Sequence, residues 1–216
     1  MPVKNLIFDL GNVLVPFDWR IAVRRLLNYL PPDLAYESKN DPGAFARLII
    51  DLIDDLEIGL ISFDEFHSKV ISRIGLSIDL AEFRDIWCGI FKPDHQMALL
   101  GQQLSRRYDS WLASNTDEAH YNYIIENFPE ILFYKEAALS YKMGTKKPES
   151  KYFIDALELF CIKPEDSVFI DDLIENVRSA EKVGIMAIQF TNITSLLEEL
   201  TKRGVTIPNK WRSQVV

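Results

Sequence analysis

Five short apolar runs in this chain each close on a polar or acidic residue: Leu6-Ile7-Phe8-Asp9, Trp111-Leu112-Ala113-Ser114, and the runs at 137–140, 168–171 and 186–190. Runs this short and this uniformly apolar read as strands buried on both faces. Between the last four lie stretches with helical spacing, such as Tyr152, Ala156, Leu159 and then Leu173, Val177, Ala180. Strands alternating with helices imply a parallel sheet covered on both sides, a Rossmann-like α/β core of three α/β/α layers. A chain of 216 residues holds one such core and has room for one inserted subdomain.

The insertion is visible as a gap in the alternation. The stretch 16–91 offers no strand, but it carries helical patterns at 44–57 and 63–74. Gly59 is placed to stop the first, and Ser62 with Glu65 forms a capping-box signature for the second. The chain therefore divides into an α/β core (1–15 and 92–203), a helical cap (16–91) and a loosely held C-terminal tail (204–216). The acids Asp51, Asp54, Asp55 and Glu57 read as the solvated face of a cap helix, with no chemistry assigned to them.

A formal charge of -8 argues against nucleic acid as a partner, because such binding needs clustered Lys and Arg to displace counterions. No stretch reaches the roughly 18 uncharged apolar residues of a spanning helix. Met1-Pro2-Val3-Lys4 runs straight into a strand rather than through a signal region, so the expected location is cytoplasmic. Cys88 and Cys161 lie far apart in apolar settings and read as buried free thiols.

In an open parallel sheet, ligands bind beyond the carboxyl ends of the strands, so the residues that close the apolar runs matter most. These are Asp9, Ser114 and the pair Asp171-Asp172; Lys147, in the loop Gly144-Thr145-Lys146-Lys147-Pro148, joins them. One rim then holds a nucleophile, hydrogen-bond donors, a cation and metal ligands. Each also has a structural reading: Asp9 as a capping aspartate, Asp171-Asp172 as a helix N-cap, Lys147 as a surface lysine.

Phe8-Asp9-Leu10-Gly11-Asn12-Val13, Ala113-Ser114-Asn115, Lys147-Pro148 and Phe169-Ile170-Asp171-Asp172 resemble, in order and spacing, the four motifs of the haloacid dehalogenase-like hydrolases. The Asp-Leu-Gly-Asn-Val wording and the segment Glu57-Ile58-Gly59-Leu60-Ile61-Ser62 look most like the sugar-phosphate branch, typified by glucose-1-phosphate phosphatases. The resemblance implies a phosphatase acting on a small-molecule phosphate ester, with Asp9 as the nucleophile that forms an aspartyl phosphate. It further implies a Mg²⁺ ion held by the carboxylates of Asp9 and Asp172 and the carbonyl of Gly11, with Asp171 and Asn176 in support. A hard cation with few carboxylates, a backbone carbonyl and several waters suits Mg²⁺. Lys147 would reach both the phosphate and Asp9, its neighbour Lys146 facing solvent. Ser114 and Asn115 would bind and orient the phosphate, and His120 is a candidate substrate contact.

One position departs from the family pattern. Most of its phosphatases carry a second aspartate two residues after the nucleophile, to protonate the leaving oxygen and then activate water; here that residue is Gly11. The role passes to water held by Asn12 or to a cap acid such as Asp18, or it is lost, leaving a phosphate-binding or regulatory module. A 2-haloacid dehalogenase is the alternative enzyme with the same aspartate. Asp171-Asp172 argues against it, since two uncompensated acids harm a site that accepts a carboxylate and expels halide. Specificity is expected from the cap and from Phe17, Asp18 and Trp19.

Overall fold

The computed structural model describes residues 2–41 and 43–214. β1 (Asn5–Phe8) leads into a run of helices, α1 (Trp19–Leu26), α2 (Pro32–Asn40), α3 (Gly43–Glu57), α4 (Phe63–Ile74), α5 (Leu80–Cys88) and α6 (His95–Leu104). The alternating part follows as β2 (Asp109–Ser114), α7 (Glu118–Asn127), β3 (Ala137–Leu139), α8 (Ser140–Met143), α9 (Ser150–Phe160), β4 (Ser167–Asp171), α10 (Ile174–Lys182), β5 (Met186–Gln189) and α11 (Ile193–Lys202).

All four strand pairings are parallel and the order is β3-β2-β1-β4-β5. β1 is central, with Ile7 level with Trp111 on one side and Phe169 on the other. Because side chains alternate along a strand, each strand feeds two cores. Leu6, Phe8, Leu112, Val168 and Ile170 point to one face, where α6 and α11 contribute Leu100, Leu104, Leu197 and Leu200. Ile7, Trp111, Ala113 and Phe169 point to the other, against Tyr152, Phe153 and Phe160 of α9 and Val177 of α10. The chain reverses strand order at β1, so the crevice for a ligand opens beyond the carboxyl ends of β1, β2 and β4.

The helices between β1 and α6 bury a third cluster of their own, built from Phe45, Ile49, Leu52, Phe66, Phe83 and Trp87 among others. Local signals fix their ends. Ser62 and Glu65 form the reciprocal capping box at the start of α4, and Gly75 ends that helix in the left-handed region. After α3, Gly59 has φ +71, and a Cβ there would stand 2.2 Å from the carbonyl oxygen of Tyr141 in α8. Glycine is therefore required twice, for its dihedral and for the close approach of the insertion to the core.

Two expectations are corrected. The residues after α11 are no loose tail: Val205, Ile207 and Trp211 are buried in the sheet-face core, and Trp211 Nε1 donates to Gln103 Oε1 at 3.0 Å. A tryptophan buries enough apolar surface to order a short segment that has no periodicity of its own. Cys161 is exposed, because it closes α9 in the left-handed region with φ 55, whereas Cys88 is buried as expected. The Lys147-Pro148 peptide is cis, and α9 begins at Ser150. No helix among the described residues is long and apolar enough to cross a membrane.

Trp211→Ala is expected to destabilise the fold by about 3–5 kcal/mol, as for other buried aromatic truncations. Urea unfolding checks this; a loss below about 1 kcal/mol would return the segment to the status of a tail.

Candidate active site

The ends of three parallel strands converge on one ammonium group. Asp9 follows β1, with its backbone N–H still on the carbonyl of Ile170 at 2.9 Å. Asp171 closes β4, and Lys147 enters from the loop between α8 and α9. Lys147 Nζ donates to Asp9 Oδ1 at 2.7 Å, to Asp171 Oδ2 at 2.7 Å and to the carbonyl of Ala113 in β2 at 3.0 Å. An ammonium has three protons, and all three are used. The lysine side chain is 1% exposed, so a surface reading is excluded.

The loops around this centre are braced by hydrogen bonds. Asn115 holds the backbone of Lys147 from both sides, donating to its carbonyl and accepting from its N–H, each at 2.8 Å. Asn176 Nδ2 donates to both oxygens of Asp171, at 3.0 and 3.1 Å, and the N–H of Leu173 adds a bond at 2.8 Å. Asn12, in the left-handed region that asparagine tolerates, donates to Asp172 Oδ2 at 3.2 Å. Asp171 thus accepts from the backbone two residues on, while the N-cap position of α10 itself is Leu173, without a side-chain cap.

Charge is the unbalanced quantity. Ligand oxygens of Asp9, Asp171 and Asp172 lie within 4.8 Å of one another, and of the three the one ammonium beside them bonds only Asp9 and Asp171. Burial pushes the Asp9 carboxyl up to about 7 against the pull of Lys147, with Asp171 adding to the rise. Burial, then repulsion from Asp171, raises Asp172 as well. Burial lowers the Lys147 affinity for its proton, but Asp9 and Asp171 outweigh it, so the lysine stays charged. A divalent cation beside Asp9 and Asp172 would cancel the surplus, and oxygen donors of this kind fit a hard ion.

Other sequence-derived candidates have different surroundings. Ser114 is buried and reaches only the carbonyl of Asn115, at 3.4 Å, on the wall of the adjoining chamber. The side chain of Asn115 is engaged with Lys147 rather than turned to a ligand. Asp18 is engaged by Arg20 and caps α1, away from the cavity around Asp9. His120 is buried: Nδ1 lies 2.8 Å from Asp117 Oδ2 and Nε2 lies 3.0 Å from the carbonyl of Trp87. Both neighbours are acceptors, so the ring is satisfied only as an imidazolium. It stacks on Trp87 at 5.2 Å and meets the edge of Phe91 at 4.9 Å. Trp87 Nε1 also donates to Asp117 at 3.2 Å, which ties the helical insertion to the core.

The insertion supplies more than the sequence suggested. Lys146 is not solvent-facing: its Nζ bonds Glu57 Oε2 at 2.8 Å and also Asp54. Two of the four acids read as a solvated face are therefore pinned to the core, and Glu57 lines the cavity of about 230 Å³ that contains Asp9, Lys147 and Asp172. An adjoining chamber of about 90 Å³ is walled by Phe17, Trp19, Phe91 and His120, again with Glu57.

No family model matches the chain. It is 26% identical over 210 residues to D-ribitol-5-phosphate phosphatase of Bacteroides thetaiotaomicron, covering 92% of this chain and 97% of that one. It is also 26% identical to the sesquiterpene phosphatase AstK of Aspergillus oryzae, over 91% of this chain and 94% of the other. Among solved structures, the magnesium complex of a haloacid dehalogenase family enzyme from B. thetaiotaomicron superposes with a TM-score of 0.76 at 25% identity, covering 88% and 94% of the two chains. Over nearly its whole length the chain is thus similar to phosphatases and to a solved enzyme of the haloacid dehalogenase family.

In this hydrolase, the residues that sequence reasoning missed are those fixed by contacts across long separations. Glu57 and Lys146 were both visible as charges, but their pairing spans 89 positions. Phe17 was named as a specificity candidate, but not its contact with Gly11: its ring stands 2.9 Å from where a Cβ there would be. Asp117, the N-cap of α7, is the fourth: it pairs with His120 and accepts from Trp87 of the insertion.

Two outcomes follow from the charges. Lys147→Met should lower turnover by about 10²–10³-fold, the loss typical of one preorganised charge-stabilising donor, as measured by steady-state phosphate release; full activity would remove Lys147 from the site. For the Asp117–His120 pair, burial opposes both charges, but their mutual attraction lowers Asp117 below 3.8 and raises His120 above 6.5. The depressed acid stabilises the fold above 3.8 and the elevated base does so below 6.5, so the pair contributes fully between those values. Relative to Asp117→Asn/His120→Gln, the wild type should lose its advantage as pH rises from about 6.5 through the elevated histidine value, read by urea unfolding across pH; a constant difference would mean that His120 is neutral.

Proposed function

We propose that this hydrolase is a Mg²⁺-dependent phosphatase that removes phosphate from a small phosphorylated metabolite, a sugar or sugar-alcohol phosphate, through an aspartyl phosphate on Asp9. The observation that carries the reading is the buried cluster in which Lys147 is shared by Asp9 and Asp171 while Asp172 stands beside them with surplus charge. The phosphatase relatives and the magnesium complex of the family enzyme support it.

Asp9 Oδ attacks phosphorus in line, the bond to the leaving oxygen breaks, and water then cleaves the acyl phosphate, so one hard step becomes two. A carboxylate meeting a phosphate dianion is repelled, and the site must offset that charge. Lys147 supplies one positive charge beside Asp9. Asp9, Asp172 and the Gly11 carbonyl would hold Mg²⁺, which when bound adds charge stabilisation at the phosphoryl oxygens. Asp171 does not need to ligate: its oxygens already serve Lys147 and Asn176, which orients the lysine. On this reading Ser114 and the start of the segment that follows β2 would bind phosphate from the wall of the adjoining chamber. The helices at 16–91 act as a cap over the leaving group, with Trp19 and Phe91 as apolar walls.

A dehalogenase is disfavoured by the same surplus of carboxylates, which a site for a haloacid's own carboxylate would not tolerate. Phosphate release from a panel of sugar, sugar-alcohol and terpenyl phosphates, with Mg²⁺ and after chelation, tests the proposal. We expect metal-dependent release that favours the polyol esters and falls to background in Asp9→Asn. Retained phosphate binding with no turnover on any ester would instead favour a binding module.

A further inference from the structure

Hydrolysis of an alkyl phosphate needs a proton for the leaving oxygen and a base for the incoming water. Two positions past the nucleophile stands Gly11, and the ring of Phe17 fills the place of a side chain there, 2.9 Å from where a Cβ would stand. The proton carrier must come from elsewhere in the cavity. Among the described residues, four titratable side chains line the chamber around Asp9: Asp9 itself, Lys147, Asp172 and Glu57. Asp9 is the nucleophile, Lys147 has no proton uncommitted, and Asp172 belongs to the metal-binding group. The adjoining chamber adds only His120, whose two nitrogens face Asp117 and the Trp87 carbonyl. Glu57 is the one titratable residue common to both chambers.

We propose that Glu57, reaching in from the helical insertion, is the general acid and base of this hydrolysis, in the role that Gly11 cannot fill. The inference rests on the phosphatase reading above. Lys146 holds Glu57 by Oε2 alone, and Oε1 has no hydrogen-bond partner among the described residues. Gly59, two residues on and packed on the Tyr141 carbonyl, fixes the depth to which the end of α3 enters. In the first step Asp9 Oδ bonds to phosphorus, the P–O bond to the leaving group breaks, and the leaving oxygen takes the proton of the Glu57 carboxyl. In the second, water attacks the aspartyl phosphate, Glu57 takes a proton from that water, and the P–O bond to Asp9 breaks, restoring Asp9 and the protonated Glu57.

Glu57→Gln keeps the shape of the side chain but can neither give nor take a proton. With ribitol 5-phosphate, whose leaving alkoxide needs a proton, kcat should fall by about 10²–10⁴-fold. With 4-nitrophenyl phosphate, whose leaving group needs none, the variant should release a rapid burst of one nitrophenol per active site and then turn over slowly, because only the second step is impaired. Asp54→Asn, which removes the other partner of Lys146, should keep the wild-type ratio between the two esters. The proposal is overturned if Glu57→Gln matches the wild type, or if it slows the first turnover of both esters equally, as a merely structural residue would. If the wild type releases phosphate from neither ester in Mg²⁺, the phosphatase reading itself fails, and this proposal with it.

Discussion

One buried ammonium organises the site. Lys147 donates its three protons to the ends of β1, β2 and β4, and so joins three strands at the point where the sheet reverses its order. Burying an ammonium is costly unless every proton is met by an acceptor and the charge is paired. Both conditions hold, and they demand carboxylates at the ends of β1 and β4. Asp172 then brings the cluster to a charge that one lysine cannot neutralise. The fold thus carries a local deficit of positive charge, and a divalent cation together with a phosphoryl group is the chemistry that fits it.

The second constraint is the seam between the helical insertion and the core. It is polar and specific: Lys146 with Asp54 and Glu57 on one side, Asp117 with His120 and Trp87 on the other, and the glycine contact at Gly59 between them. Polar contacts of this sort fix geometry more than they add stability. Their effect is to set a carboxylate and an aromatic wall over the open ends of the strands.

Most of the core was legible in the sequence because its signals are local. Apolar runs closed by Asp9, Ser114 and Asp171 gave strands and rim together, since a side chain just past a buried strand is at once exposed to the crevice. Ser62 and Glu65 marked a helix start for the same reason. What escaped depends on contacts that no spacing encodes. Asn115 could be placed at the rim, but not seen to be occupied with the Lys147 backbone. Trp211 sits in a polar context that hid its burial. Glu57 belonged to a run of acids whose helical spacing gives the same signal whether the face meets water or a lysine from another layer. Gly11 was legible as a departure, while its physical cause, the Phe17 ring, was not.

The claim on which the rest depends is that phosphorus becomes bonded to the carboxylate of Asp9 during turnover. Rapid quenching of the enzyme with its ester, borohydride reduction of any acyl phosphate and peptide mass mapping would test it directly. The account predicts homoserine at position 9, formed only when substrate is present. An unmodified Asp9 under conditions of full turnover, or reduction at another carboxylate, would contradict it.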